Sequence, residues 1–137
     1  MSADEHIIEA RRWLQYARED LETAETLLTH TLVFRQICWL TQQAVEKMFK
    51  AALFALQVNF PRAHDLDLLR NLLPASWQVK EQFSDLAKMT EWAVESRYPG
   101  NWPEAIESDA EKALEQAKQI WNVIGEDIQK HLPVLLE

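Results

Sequence analysis

The 137-residue chain has only two glycines, at positions 100 and 125. Glycines that far apart cannot form the Gly-rich loop of a P-loop, a dinucleotide fingerprint or a nucleophile elbow. Few residues tolerate positive φ, so a fold of many tight hairpins is disfavoured as well. There is one cysteine, Cys38, which rules out a disulfide framework and any paired-cysteine zinc or redox site. Between Ile37 and Trp39 it reads as a small core residue in a reducing compartment. The first six residues, Met1-Ser2-Ala3-Asp4-Glu5-His6, are acidic where a secretion signal is basic. Charge-free runs such as Ala51–Pro61 fall well short of the ~20 residues a membrane span needs. The expectation is a single domain over residues 1–137, with no membrane partner, in the cytoplasm.

Charge is present but uneven. Fourteen basic and 22 acidic residues leave a net charge of −8. Such an average disfavours a general nucleic-acid binder. Residues 1–30 carry net −4, residues 103–137 net −5, and the middle of the chain net +1. Arg35, Lys47, Lys50, Arg62, Arg70 and Arg97 all fall in that middle part. An anion site, if built at all, belongs there; the alternative is a solvated, merely less acidic face.

The apolar pattern is helical throughout. Ile7, Ala10, Leu14, Ala17, Leu21, Ala24 and Leu28 alternate steps of three and four, an inward stripe over about six turns. Asp4 is the expected N-cap and Thr29-His30-Thr31 the end. A second helix runs from Val33 to Leu56, with Phe34, Cys38, Thr41, Val45, Met48, Ala52 and Leu56 inward. Pro61 breaks the connector that follows. A short helix covers His64–Leu73. A fourth is expected over Trp77–Ser96, with Val79, Phe83, Leu86, Met89 and Ala93 inward. The segment 97–103 is a Pro/Gly loop. The last helix starts near Pro103 and runs to His131, with Ile106, Ala110, Ala113, Ala117, Ile120, Ile124 and Ile128 inward. The fold class is therefore all-α: an antiparallel up-and-down bundle of four long helices plus one short helix.

Bundle metal chemistry finds no support. A di-iron site needs Glu three residues before His. The residues three before His6, His30, His64 and His131 are Ala3, Leu27, Pro61 and Ile128. HExxH is absent, so neither a metal nor another cofactor is expected.

Four segments stand apart from a generic bundle. They are Trp13-Leu14-x-x-Ala17-x-x-Asp20-Leu21-x-x-Ala24, Gln42-Gln43-Ala44-Val45-Glu46-Lys47-Met48-Phe49-Lys50-Ala51, Pro61-Arg62-Ala63-His64-Asp65-Leu66 and Ser96-Arg97-Tyr98-Pro99-Gly100. In this order they resemble the HEPN domain over about residues 5–130. The resemblance implies a helical bundle, often a homodimer. It also implies partnership with a minimal nucleotidyltransferase in a two-gene toxin–antitoxin pair. Many HEPN relatives are metal-independent RNases with an Arg, four to six residues, then His. This chain departs from that pattern: after Arg97 no His follows until His131, and Arg62 and His64 are one residue apart. The RNase motif is absent, no catalytic residue is assigned, and the expectation leans away from an enzyme.

What the resemblance leaves is binding of a nucleotide or RNA. Arg97 could hold a phosphate with Tyr98 stacked on a base, or it could cap helical carbonyls while Tyr98 anchors the loop. His64 could donate to an anion, or order the turn before the short helix, with Asp65 as its N-cap. Lys47 and Lys50, one turn apart, could form a phosphate-facing patch, or Lys47 could pair with an acid such as Glu46 or one on the first helix. Glu46 could partner Arg97. Trp13, Trp39, Trp92 and Trp121 read as core or near-core; Trp77 and Trp102, at helix edges, are candidates for a protein contact. Two alternatives stand beside the binding reading: an RNase with a non-standard His64/Arg97 pair, and a structural adaptor.

Overall fold

A computed structural model describes all residues except Thr31, Ser96, Arg97, Tyr98 and Asn101. The chain forms α1 (Ala3–His30), α2 (Phe34–Ala55), α3 (Leu66–Asn71), α4 (Gln78–Gln82), α5 (Ala87–Glu95), α6 (Glu107–His131) and a closing 3-10 turn, Pro133–Leu136. Among the described residues there is no strand. The helical bundle expected from the pattern is the fold observed.

Residue pairs between helices show the directions. Asp20, Trp13 and His6 of α1 meet Lys47, Lys50 and Phe54 of α2, so the two run antiparallel. Glu25 pairs with Lys118, while Arg11 donates to the carbonyls of Val134 and Leu135, so α1 also runs antiparallel to α6 and the turn that follows it. Gln78 and Val79 meet Asp127, and Lys88 lines a cleft with Asp109, which sets the α4–α5 limb antiparallel to α6.

Alanines let the helices approach closely. Ala10, Ala17 and Ala24, seven residues apart on α1, are all fully buried. Ala44, Ala51 and Ala52 on α2 and Ala110 and Ala117 on α6 are buried as completely. Spacing by seven on a helix keeps one seam against its neighbour. α2 sits at the centre, in contact with α1, α3, α5 and α6. Consequently it is buried on nearly all sides, and Gln42, Glu46 and Lys50 are buried with its apolar residues.

Several local expectations are revised. Ser2, rather than Asp4, caps α1: the Glu5 N–H donates to Ser2 Oγ and the Ser2 N–H to Glu5, both at 3.2 Å. This reciprocal pair satisfies two otherwise orphaned donors. The segment read as one helix from Trp77 to Ser96 is broken between α4 and α5. Side chains of α3 take the backbone groups at the break. The Leu86 N–H donates to Asp67 Oδ1 at 2.8 Å, and Arg70 donates to the Phe83 carbonyl at 2.8 Å. Buried Arg70 is itself ion-paired with Asp67. α6 begins at Glu107 rather than near Pro103, where the Asp109 carboxylate accepts from the Ile106 N–H at 2.9 Å. Ile106, expected inward, is 58% exposed. Trp77 lies at a helix edge as expected, at the N-cap position of α4, but as a candidate for a protein contact it is 2% exposed and stacks on His131 with ring centres 5.7 Å apart.

Candidate functional site: the Glu46–His64 junction

The exit from α2 determines where the following connector goes. Gln57 takes φ 57°, the left-handed region that L-residues other than Asn and Asp rarely adopt. The Val58 N–H then reaches back to the Leu53 carbonyl at 2.9 Å and the Gln57 N–H to that of Phe54 at 3.1 Å. This closes the helix and reverses the chain. The connector through Pro61 returns along α2, and α3 starts once the Asp65 side chain accepts from the Leu68 N–H at 3.2 Å. His64 therefore arrives beside the middle of α2, 18 residues from Glu46.

Glu46 organises the junction. Its Oε1 lies 2.7 Å from His64 Nδ1, and its Oε2 accepts from Lys50 Nζ at 3.0 Å. Gln42 Nε2 donates to Glu46 Oε1 at 3.2 Å and to the His64 backbone carbonyl at 3.1 Å. Gln43 holds the amide of Gln42 from outside at 2.7 Å. The Glu46 side chain is 6% exposed, whereas that of His64 is 56% exposed. An ionised carboxylate only accepts, so Nδ1 carries the ring's proton toward Glu46. In the neutral ring, Nε2 then bears the lone pair. The arrangement is a buried carboxylate orienting a largely exposed imidazole.

Aromatic rings flank the cation. Lys50 Nζ lies 5.8 Å from the Trp13 ring centre and 5.9 Å from that of Phe60. Phe60 meets Phe54 edge-on at 6.2 Å, and His6 lies 5.3 Å from Phe54. Trp13 and Phe60 are each half-buried.

The five residues expected at a binding site are distributed unevenly. His64 and Lys50 meet at Glu46. Lys47 points instead to α1, where Asp20 takes its ammonium at 2.5 Å. Of the readings open for Lys47, pairing with an acid on the first helix is the one the geometry shows, while the Lys50 ammonium carries Glu46. Arg97 and Tyr98 lie outside the described residues, and so does the expected Glu46–Arg97 pairing. Glu46, Gln42, Trp13 and Phe60 are site residues that sequence reasoning did not assign. An i,i+4 Glu/Lys pair inside the apolar stretch Ala44–Leu53 was the available signal. Solvated pairs of that spacing are common, but this one has apolar neighbours on nearly every side.

Among the described residues, no group of three His, Cys, Asp or Glu side chains is placed to hold a metal. Burial pushes the Cys38 thiol up to about 12, with a smaller contribution from the Asp109 charge. None of the helices among the described residues is long and apolar enough to cross a membrane.

A family model described as "HEPN domain" matches residues 10–128. The chain belongs to the HEPN family. Two solved structures are similar to this HEPN protein. One is TT1696 from Thermus thermophilus, with 28% identity, 85% of this chain and 96% of that chain covered, and a TM-score of 0.75. The other is ST0689, described as an archaeal HEPN homologue, with 25% identity, 87% and 97% covered, and a TM-score of 0.66. No curated protein matches the chain. The matched region contains all of the Glu46–His64 junction.

Proposed function

We propose that this HEPN protein is a nucleotide- or RNA-binding module that acts, as a homodimer, with a nucleotidyltransferase partner in a toxin–antitoxin type of pair. The observation that carries the binding reading is the His64 imidazole. Its ring is more than half exposed, yet both the ring and the backbone carbonyl are held from α2. Orienting an exposed ring with a buried carboxylate contributes little to packing; it sets a polar atom toward an incoming ligand. Arg62, exposed two residues earlier, adds a cation on the same connector. Arg97 and Tyr98 are proposed to complete the site, the first on a phosphate and the second on a base. Glu46 and Lys50 support His64 from beneath, and Lys47 ties α2 to α1. The sequence contains no Arg followed after four to six residues by His. Binding without cleavage through that motif is accordingly the favoured reading.

The test is a melting-shift series with nucleoside mono-, di- and triphosphates and a short RNA. A shift that is lost in His64→Ala and Arg97→Ala supports the site. Co-expression with the nucleotidyltransferase of a neighbouring gene tests the partnership, and light scattering during size exclusion tests the dimer. No shift with any of these ligands would sink the binding reading.

A further inference from the structure

The His64 ring is prepared for more than a hydrogen bond. Its Nδ1 is fixed 2.7 Å from Glu46 Oε1 on a side chain that is 56% exposed, which leaves Nε2 on the far edge of the ring. Glu46 is in turn fixed by Lys50 and Gln42, so the carboxylate has little freedom to turn away. Carboxylate–imidazole pairs of this kind make the far nitrogen more nucleophilic, because charge developing on the ring is balanced across the hydrogen bond. In a hydrolytic triad that nitrogen takes a proton from a neighbouring hydroxyl or thiol. Here the connector Asn59-Phe60-Pro61-Arg62-Ala63-His64-Asp65-Leu66 has no Ser, Thr or Cys. The chain's one cysteine is buried, with its thiol pushed up to about 12. Thr90 Oγ1 accepts from the Leu66 N–H at 3.0 Å at the end of the connector; the nucleophile that Glu46 orients is the imidazole itself.

We infer that His64 Nε2 is a phosphoryl-acceptor site, charged by a donor of the phosphoramidate class. This does not rest on nucleotide binding. In the reaction, the Nε2 lone pair attacks phosphorus and the Nε2–P bond forms as the donor's P–N bond breaks. The nitrogen of the donor, already protonated, leaves as the neutral amine. The ring becomes an N-phosphoryl imidazolium whose Nδ1–H stays on Glu46, and the carboxylate balances the new charge. Arg62, exposed two residues earlier on the same connector, is the proposed partner of the transferred group's oxygens.

A second exposed histidine provides an internal control. His30, at the end of α1, also has its Nδ1 occupied, by the Thr26 carbonyl at 2.9 Å and Thr29 Oγ1 at 2.7 Å. Its partners are neutral, so it lacks the balancing charge that Glu46 supplies.

The experiment incubates the full chain with potassium phosphoramidate and follows the adduct by intact mass, phosphorus NMR and peptide mapping. The expected result is one acid-labile, alkali-stable phosphoryl group on His64, formed at least about tenfold faster than on His30. His64→Ala should abolish it, and that variant keeps the fold because Glu46 retains Lys50 and Gln42 as partners. Glu46→Gln should slow it by about 10–100-fold. Should Glu46→Gln unfold, the His64:His30 rate ratio within the unaltered chain still decides. Equal labelling of His64 and His30, labelling that survives His64→Ala, or no adduct overturns the inference.

Discussion

Asp127, near the end of α6, caps a helix that begins 49 residues earlier: its Oδ2 accepts the Val79 N–H at 2.9 Å while its Oδ1 accepts that of Gln78 at 2.8 Å. Helix α4 has only five residues and no cap of its own. A carboxylate from another helix supplies what Trp77, at the N-cap position, cannot. Asp127 is 2% exposed, so Asp127→Ala leaves two donors without partners in a dry site. The expected cost is about 2–4 kcal/mol, read as a lower urea midpoint with unchanged slope. Asp85→Ala, which removes an exposed local cap on the Ala87 N–H, is the contrast and should cost about 1 kcal/mol or less.

The Glu46–Lys50 pair gives a test of a different sort. Both side chains are at least nine-tenths buried, so removing one charge strands the other. Glu46→Leu is expected to destabilise by about 3–5 kcal/mol. The double change Glu46→Leu with Lys50→Met removes both charges and should be less destabilising than Glu46→Leu alone. A double variant more stable than the unaltered chain would show that the pair is costly in itself. Lys47→Ala serves as the comparison: Lys47 and Asp20 keep about a quarter and a fifth of their side chains exposed, and the loss should stay near 1 kcal/mol.

Gln57 occupies a position better suited to glycine. A side chain at φ 57° costs about 1 kcal/mol relative to a residue without a Cβ. Gln57→Gly is therefore expected to raise the melting temperature slightly while keeping the chain reversal that delivers His64. A fall instead would mean that the Gln57 side chain makes contacts that outweigh the backbone strain.

Much of this was legible from the chain alone, and the part that was not has a common cause. The stripes on α1 and α6 follow from period alone, because each helix buries one face: Ala10, Ala17 and Ala24 are inward as their spacing requires. α2 defeats such a reading, since a central helix has no wet face to mark its polar residues as solvated. Glu46 and Lys50 are therefore indistinguishable in sequence from an exposed i,i+4 pair. The break between α4 and α5 is hidden for another reason. Val79, Leu86, Met89 and Ala93 keep helical spacing across it, and the groups that stabilise the break, Asp67 and Arg70, come from α3. His64 is conspicuous in sequence as a histidine after Pro61; its partner Glu46 is not, because 18 residues separate them.

Cys38 should report global unfolding. Its thiol is fully buried and pushed up to about 12 from 9.0, chiefly by burial. At about pH 8 a disulfide reagent should react with the folded protein only as fast as it opens. Because the folded thiol holds its proton more tightly than the unfolded one, its contribution to stability is complete below about pH 9. That contribution is lost progressively as pH rises from there toward about 12. The stability of the unaltered chain relative to Cys38→Ala should decline across that window. A difference that stays flat would contradict the burial argument.

Gly125 lies inside α6, where glycine costs about 0.5–1 kcal/mol against alanine. A Cβ built there meets nothing within 4 Å. Gly125→Ala should accordingly stabilise the isolated chain by about that amount. Gly100 is the opposite case: a Cβ would come within 2.6 Å of the Trp102 indole, so Gly100→Ala must displace that ring. The pair of changes separates backbone entropy from close approach. Gly125→Ala should raise the unfolding midpoint with Trp102 undisturbed, whereas Gly100→Ala should alter the protein's tryptophan fluorescence before any denaturant is added. If Gly125→Ala lowers stability in a manner that depends on protein concentration, the open face beside Trp121 is covered by another molecule in solution, and the glycine is there to let it approach.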